Sequence, residues 1–182
     1  MGRRAIPFLI GACFCTMIPA VAQWPSPKAP VIPEADGYVA IPKVAVPPEK
    51  DHIYRVVFDA SVSASEPTRL LPALNNAGAE LNALSVSGVP HENAKFAIVF
   101  RGSAIWGLLD DAHYRAKYDV SNPNLNVLAE LKKAGVELLV CGQSLAFEKI
   151  DPKTISPEVV LASDALIVLI KYQNSGYALL CF

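Results

Sequence analysis

The sequence predicts an α/β domain whose parallel sheet is covered by helices on both faces. Two observations carry this. Short β-branched and aromatic runs alternate along the chain with segments whose leucines recur at helical spacing, and that alternation is the pattern of β-α-β units. One of the runs, Phe96-Ala97-Ile98-Val99-Phe100, is wholly apolar. A strand needs no polar face only when both of its sides are covered.

The elements follow in order. Ile53 to Phe58 has the composition of a first strand. Leu70, Leu74, Ala77, Leu81 and Leu84 then mark a helix, which stops at Gly88 and Pro90. Pro72 fits that helix only in its first turn, where the missing N–H is not needed. Residues 96–100 form the second strand. Gly102-Ser103 opens a helix with Ile105, Leu108 and Leu109, on which Asp110-Asp111 reads as a solvated face. Another helix follows Asn122-Pro123, carries Leu125, Leu128 and Leu131, and ends at Gly135. Val136 to Val140 is a third strand, and Cys141-Gly142-Gln143-Ser144 turns into a short helix reaching Lys149. A fourth strand is expected at Val159-Val160-Leu161, a helix from Ser163 to Asn174 stopped by Gly176, and a fifth strand at Tyr177 to Leu180.

Ahead of this domain the chain divides twice. Residues 1–22 read as a signal peptide: Arg3 and Arg4, an apolar run, then Ala20-Val21-Ala22 as the cleavage site. Export to a periplasm or beyond is the expectation, with no membrane span, because the run is short and interrupted by Pro7 and Pro19. A lipoprotein reading, with Cys13 lipidated, stands beside it. Residues 23–50 carry seven prolines from Pro25 to Pro48 and form an extended arm. That arm is either a flexible tether or a clasp whose Tyr38, Val39 and Ile41 pack on its own domain or on a neighbouring subunit. Residues 51–182 are the domain.

Charge excludes one class of partner. With 16 basic against 17 acidic residues and no basic stripe, nucleic acid is not expected. Of the four cysteines, only Cys141 and Cys181 lie beyond the signal, so disulfides do not build this fold. No glycine-rich phosphate loop follows any strand, and His52, His91 and His113 show no metal-ligand spacing, so neither a cofactor nor a metal is expected.

Ligands of open α/β sheets gather beyond the carboxyl ends of the strands. Four groups fall there: Asp59, Arg101-Gly102-Ser103, Cys141-Gly142-Gln143-Ser144 and Cys181. Cys141 stands where a strand meets a helix, a place that favours a thiolate, and Arg101 on an adjacent strand would add to this. The other reading makes Cys141 a small apolar residue at the end of a buried strand. Cys181 is read as a passenger and Asp59 as a turn cap. Gly142-Gln143-Ser144-Leu145-Ala146 approximates a hydrolase nucleophile elbow, but those enzymes place the catalytic histidine after the serine, and here all three histidines precede Ser144.

From about Gly37 to Phe182 the chain resembles exported members of the DsrE/DsrF-like family. The resemblance rests on Pro30-Val31-Ile32-Pro33 with Gly37-Tyr38, Leu81-Asn82 with Gly88-Val89-Pro90, the Gly102 turn, Asn122-Pro123-Asn124, Val140-Cys141-Gly142-Gln143-Ser144 and Gly176-Tyr177-Ala178-Leu179. It implies a three-layer α/β/α domain on a five-stranded parallel sheet, a homo-oligomer, and a cysteine that carries sulfane sulfur as a persulfide between donor and acceptor proteins. That cysteine matches Cys141, with Arg101, Gly102, Ser103, Gly142, Gln143 and Ser144 around it. Many exported relatives have histidine before the glycine of the second-strand turn, whereas this chain has Arg101, a fixed charge suited to an anionic sulfur. The implied strand order also separates Cys141 from Cys181 by about 14 Å, too far for a disulfide.

Overall fold

The apolar runs become five parallel strands in the computed structural model, which describes residues 24–182. The expected signal peptide and Cys13 lie outside the described residues. The strands are β1 (Tyr54–Ala60), β2 (Ala94–Phe100), β3 (Glu137–Cys141), β4 (Val160–Ala162) and β5 (Ala178–Cys181), in the order β4-β3-β2-β1-β5. The helices are α1 (Pro72–Val86), α2 (Asp111–Tyr118), α3 (Asn124–Lys133), α4 (Gly142–Glu148) and α5 (Ala165–Asn174).

Alternation along each strand sends successive side chains to opposite faces. Phe58, Ile98, Phe100, Leu138 and Val140 meet α1 and α3 in the larger core, with Leu74, Leu81, Leu128 and Leu131 opposite them. Val57, Ala97, Val99 and Cys141 turn the other way, where Ala165 and Leu169 of α5 cover them. Helices therefore lie on both faces of a parallel sheet, the predicted α/β/α layering. The layers are unequal, because α5 alone lies over β1, β2 and β5 on its side.

Three sequence expectations change. β1 runs on to Ala60, so Asp59 belongs to the strand and is buried rather than capping a turn. The segment after Gly102 is a 3-10 stretch, Gly102–Leu108, that ends before Leu109. Asp110 then caps the separate helix α2 by accepting a hydrogen bond from the His113 N–H, which breaks the single helix expected here. At the far end, Cys181 is the last residue of β5, paired in register with Asp59.

Along the arm, Lys28 and Tyr38 pair in an antiparallel bridge, and Ile32 and Ala35 are buried against the domain. Tyr38 and Val39 are half-buried beside them, whereas Ile41 is exposed. The cause is Asn82. From α1 its Oδ1 accepts from the Val31 and Ile32 N–H groups at 2.9 and 3.0 Å, and its Nδ2 donates to the Ile32 and Asp36 carbonyls. Gly78 makes room, for a Cβ there would stand 2.5 Å from Cβ of Ala35.

Candidate functional site

The carboxyl ends of β1, β2, β3 and β5 bring Asp59, Arg101, Cys141 and Cys181 to one edge of the sheet. β-Periodicity directs Asp59, Cys141 and Cys181 to the face that carries α5. Arg101, one residue beyond β2, forms a bidentate pair with Asp59: Nε to Oδ1 and Nη2 to Oδ2, both at 2.7 Å. Asp59 is nearly enclosed, with 8% of its side chain exposed against 36% for Arg101. These hydrogen bonds hold the guanidinium above its ordinary pKa against the effect of burial, with lesser attraction from Asp59, Cys181 and Cys141. Arg101 is thus a fixed positive charge within electrostatic reach of both sulfurs, and its direct partner is a carboxylate.

Cys141 sits where β3 passes into α4, and it is 4% exposed. Its Sγ accepts a hydrogen bond from the Ala165 N–H at 3.3 Å, the first residue of α5. Burial pushes the thiol up, but hydrogen bonds from the Ser144 hydroxyl and N–H, the Ala165 N–H and the Gln143 N–H outweigh it. The thiol therefore titrates below its usual value. The start of α5 donates an N–H to the sulfur and Cys141 itself stands at the N-cap of α4, so the positive ends of two helices lie near one sulfur and favour a thiolate away from water.

The flanking residues divide between this sulfur and the scaffold. Ser144, which helps lower the Cys141 pKa, accepts through its Oγ from the Gly102 N–H at 3.3 Å, tying the β2 turn to the start of α4. Gln143 donates to the Ser163 carbonyl at 3.4 Å. Gly142 packs under the β4–α5 connection so closely that a Cβ would fall 2.8 Å from the Ala162 carbonyl oxygen. Ala162 and Ser163 therefore form a roof over Gly142 beside the thiol, and Ala165 after them bonds the sulfur. Ser103 serves the neighbouring loop, accepting from the Ser63 N–H at 2.9 Å and donating to the Ser61 carbonyl.

Sequence reasoning missed two parts of this arrangement. The role of Asp59 as anchor of Arg101 depends on β1 reaching Ala60 beside β2. The Ala165 N–H depends on β4 lying next to β3; the Asp164 cap ahead of an apolar helix was its only local sign. Both cysteines are free, and their strands are three spacings apart, about 14 Å. Among the described residues no three His, Cys, Asp or Glu side chains gather as a metal site, and no helix is long and apolar enough to cross a membrane.

A parallel sheet with a hydrogen-bonded thiol and a fixed guanidinium at its carboxyl edge defines a thiol-bearing α/β protein. The DsrE/DsrF-like family model matches residues 53–182. The chain belongs to that family. Two solved structures share its fold. One is a protein of unknown function, MTH1491 from Methanobacterium thermoautotrophicum, at 18% identity and a TM-score of 0.54 over 71% of this chain and 99% of that one. The other is the ychN protein from E. coli, at 16% identity and a TM-score of 0.51 over the same shares. No curated protein matches the chain.

Proposed function

We propose that this protein is an exported sulfur carrier in which Cys141 holds sulfane sulfur as a persulfide and hands it to a partner protein. The observation that carries the reading is the Ala165 N–H bonded to Cys141 Sγ at the strand-to-helix junction, where neighbouring polar groups hold the thiol below its usual pKa despite burial. Family membership supports it, because the resemblance to sulfur-carrying members implies a persulfide cysteine at the position of Cys141. In the loading step the Cys141 thiolate attacks the outer sulfur of a donor persulfide. The donor S–S bond breaks, the donor leaves as a thiolate, and Cys141 keeps the outer sulfur. Delivery is the same exchange with an acceptor thiolate as nucleophile, so no external oxidant is consumed. The Asp59-fixed guanidinium of Arg101 supplies positive potential near the anionic sulfur.

One observation favours a second reading, a binding or scaffold module in which Cys141 only packs. At 4% exposure it belongs to the cluster of Val57, Ala97, Val99, Ala165 and Leu169. Alkylation of the native protein separates the two. Modification of Cys141 at mildly acidic to neutral pH supports the carrier, whereas protection until global unfolding supports packing.

Export rests on the N-terminal sequence and belongs to the same proposal. The secreted form is expected to begin at Gln23. An intact mass beginning at a lipidated Cys13 would replace that cleavage with lipoprotein processing.

A further inference from the structure

Pro33 starts a turn in the proline-rich arm. The Ala35 N–H closes it on the Ile32 carbonyl at 3.2 Å, with Pro33 and Glu34 at the two central positions. Both ends of the turn, Ile32 and Ala35, are buried against the domain, so Glu34 stands at its tip. There it meets α3. Asn126 Nδ2 donates to Glu34 Oε1, and Glu130, four residues further along the same helix face, brings a second carboxyl to the Glu34 side chain.

Glu130 is badly placed to be an anion. Its Oε2 is enclosed, and among the described residues no group donates a hydrogen bond to it. An ionised carboxylate held in this way lacks the donors that offset the loss of water. A neutral carboxyl bears the enclosure at far lower cost, and its O–H can donate to the Glu34 carboxylate in a charge-assisted bond. Two adjacent carboxyl groups that resist ionising together hold one proton between them.

The directions of titration agree with this. Burial first, and Glu34 next, push the Glu130 carboxyl above its ordinary range, while Glu130 holds Glu34 below its own. Few other charges bear on the pair. Lys133, one turn along α3, draws Glu130 down with the least effect. Asp36 of the arm is bound by Asn75 Nδ2 at 2.8 Å, and Arg69 and Glu34 line one cleft of about 800 Å³. Of the elements packed on α3, α1 carries only Glu80, which lines a separate groove with Tyr38 and Val46. The Gly102–Leu108 stretch carries no ionisable side chain, and β3 carries Glu137, beside Tyr172, and Cys141 at the carboxyl edge.

We propose that Glu34 and Glu130 form a proton-dependent latch: sharing one proton they hold the arm to α3, and with none they repel and let the arm open. Opening frees the seat of Ile32 and Ala35 on α1 at Gly78 and moves one wall of the cleft. Glu130, raised in the closed state, favours closure fully below the ordinary carboxylate value of about 4.3, and this is lost as pH rises through its raised value. Glu34, held low, favours closure above the ordinary value and loses this as pH falls through its lowered one. Closure is therefore tightest in mild acid. The inference is independent of the sulfur-carrier reading.

Hydrogen exchange of the Val31 and Ile32 N–H groups, which donate to Asn82, reads the opening in the full chain once rates are corrected for intrinsic exchange. From about pH 4.5 to 7.5 their protection is expected to fall, by up to about tenfold per pH unit until Glu130 has ionised in the closed arm, while the amides of β2 keep theirs. Glu130→Gln keeps a donor toward Glu34 with no proton to lose, so its protection should not vary with pH over this range. A carbon-13 titration of the Glu130 carboxyl should give a midpoint above the ordinary value, moving down in Glu34→Gln. Wild-type protection that is indifferent to pH overturns the latch, as does a folded Glu130→Gln that keeps the wild-type slope. If that variant does not fold, the carboxyl titration decides: a Glu130 midpoint at or below the ordinary value, or one that Glu34→Gln leaves unmoved, overturns it equally.

Discussion

Replacing Ser144 by alanine removes the hydroxyl that favours the Cys141 thiolate most and leaves the Ala165 N–H bond to the sulfur in place. A hydrogen bond to a charged group contributes about 1.5–3 kcal/mol. Ser144 is half-buried, so water takes over part of its work and the lower figure applies. At about 1.36 kcal/mol per pKa unit, the thiol should rise by about one unit. The Gly102 N–H that Ser144 also satisfies is exposed and turns to solvent, so little other stability is lost. Stability follows with a definite sign. The folded-state pKa lies below the unfolded one, so Cys141 stabilises the fold fully above the unfolded thiol value of about 8.5 and loses this as pH falls through the folded value. Ser144→Ala should shrink that gain by about 1.4 kcal/mol at alkaline pH. The assay is the pH profile of iodoacetamide alkylation, followed on the Cys141 peptide in a Cys181→Ser background. A midpoint that moves by less than about 0.3 unit, or moves downward, refutes the assignment of Ser144 as a donor to the sulfur.

Three further outcomes follow from the contacts. Asn82→Ala strips four hydrogen bonds from a fully buried side chain and should cost about 3 kcal/mol or more, a fall in Tm of roughly 6–12 °C, with new proteolytic cleavage in the arm; scanning calorimetry and limited proteolysis read both. Asp59→Asn keeps the shape but removes the charge that fixes Arg101, so urea unfolding should show a loss of about 2 kcal/mol with no change in m-value. Gly142→Ala drives a methyl group toward the Ala162 carbonyl and should cost about 1–3 kcal/mol while opening the roof, so that Cys141 alkylates faster although the fold is weaker.

Local pattern made much of this legible before any coordinates. The wholly apolar 96–100 run, the leucine spacing of 70–84 and the glycine stops each report a choice made within a few residues, and each became the expected element. Helix α2 escaped because Asp111 to Tyr118 is polar almost throughout, with Tyr114 alone buried. The position of Cys141 at a strand-to-helix turn was readable from Val140-Cys141-Gly142. Its electrostatics were not, because the Ala165 N–H comes from 24 residues downstream and the Gly102 link from 39 residues upstream through Ser144. Asp59 likewise gains its meaning only when β1 and β2 align in register, which sets it one strand away from Arg101. Strand order, a long-range property, separates what the sequence shows from what the site requires.

The most direct test of the carrier reading is the native mass of the protein after exposure to a sulfane donor and removal of excess reagent, comparing wild type with Cys141→Ser and Cys181→Ser. The account predicts one added sulfur on wild type and on Cys181→Ser, released by a thiol, and none on Cys141→Ser. No gain on any of the three, a gain that survives in Cys141→Ser, or a Cys141–Cys181 disulfide in the untreated protein would contradict it.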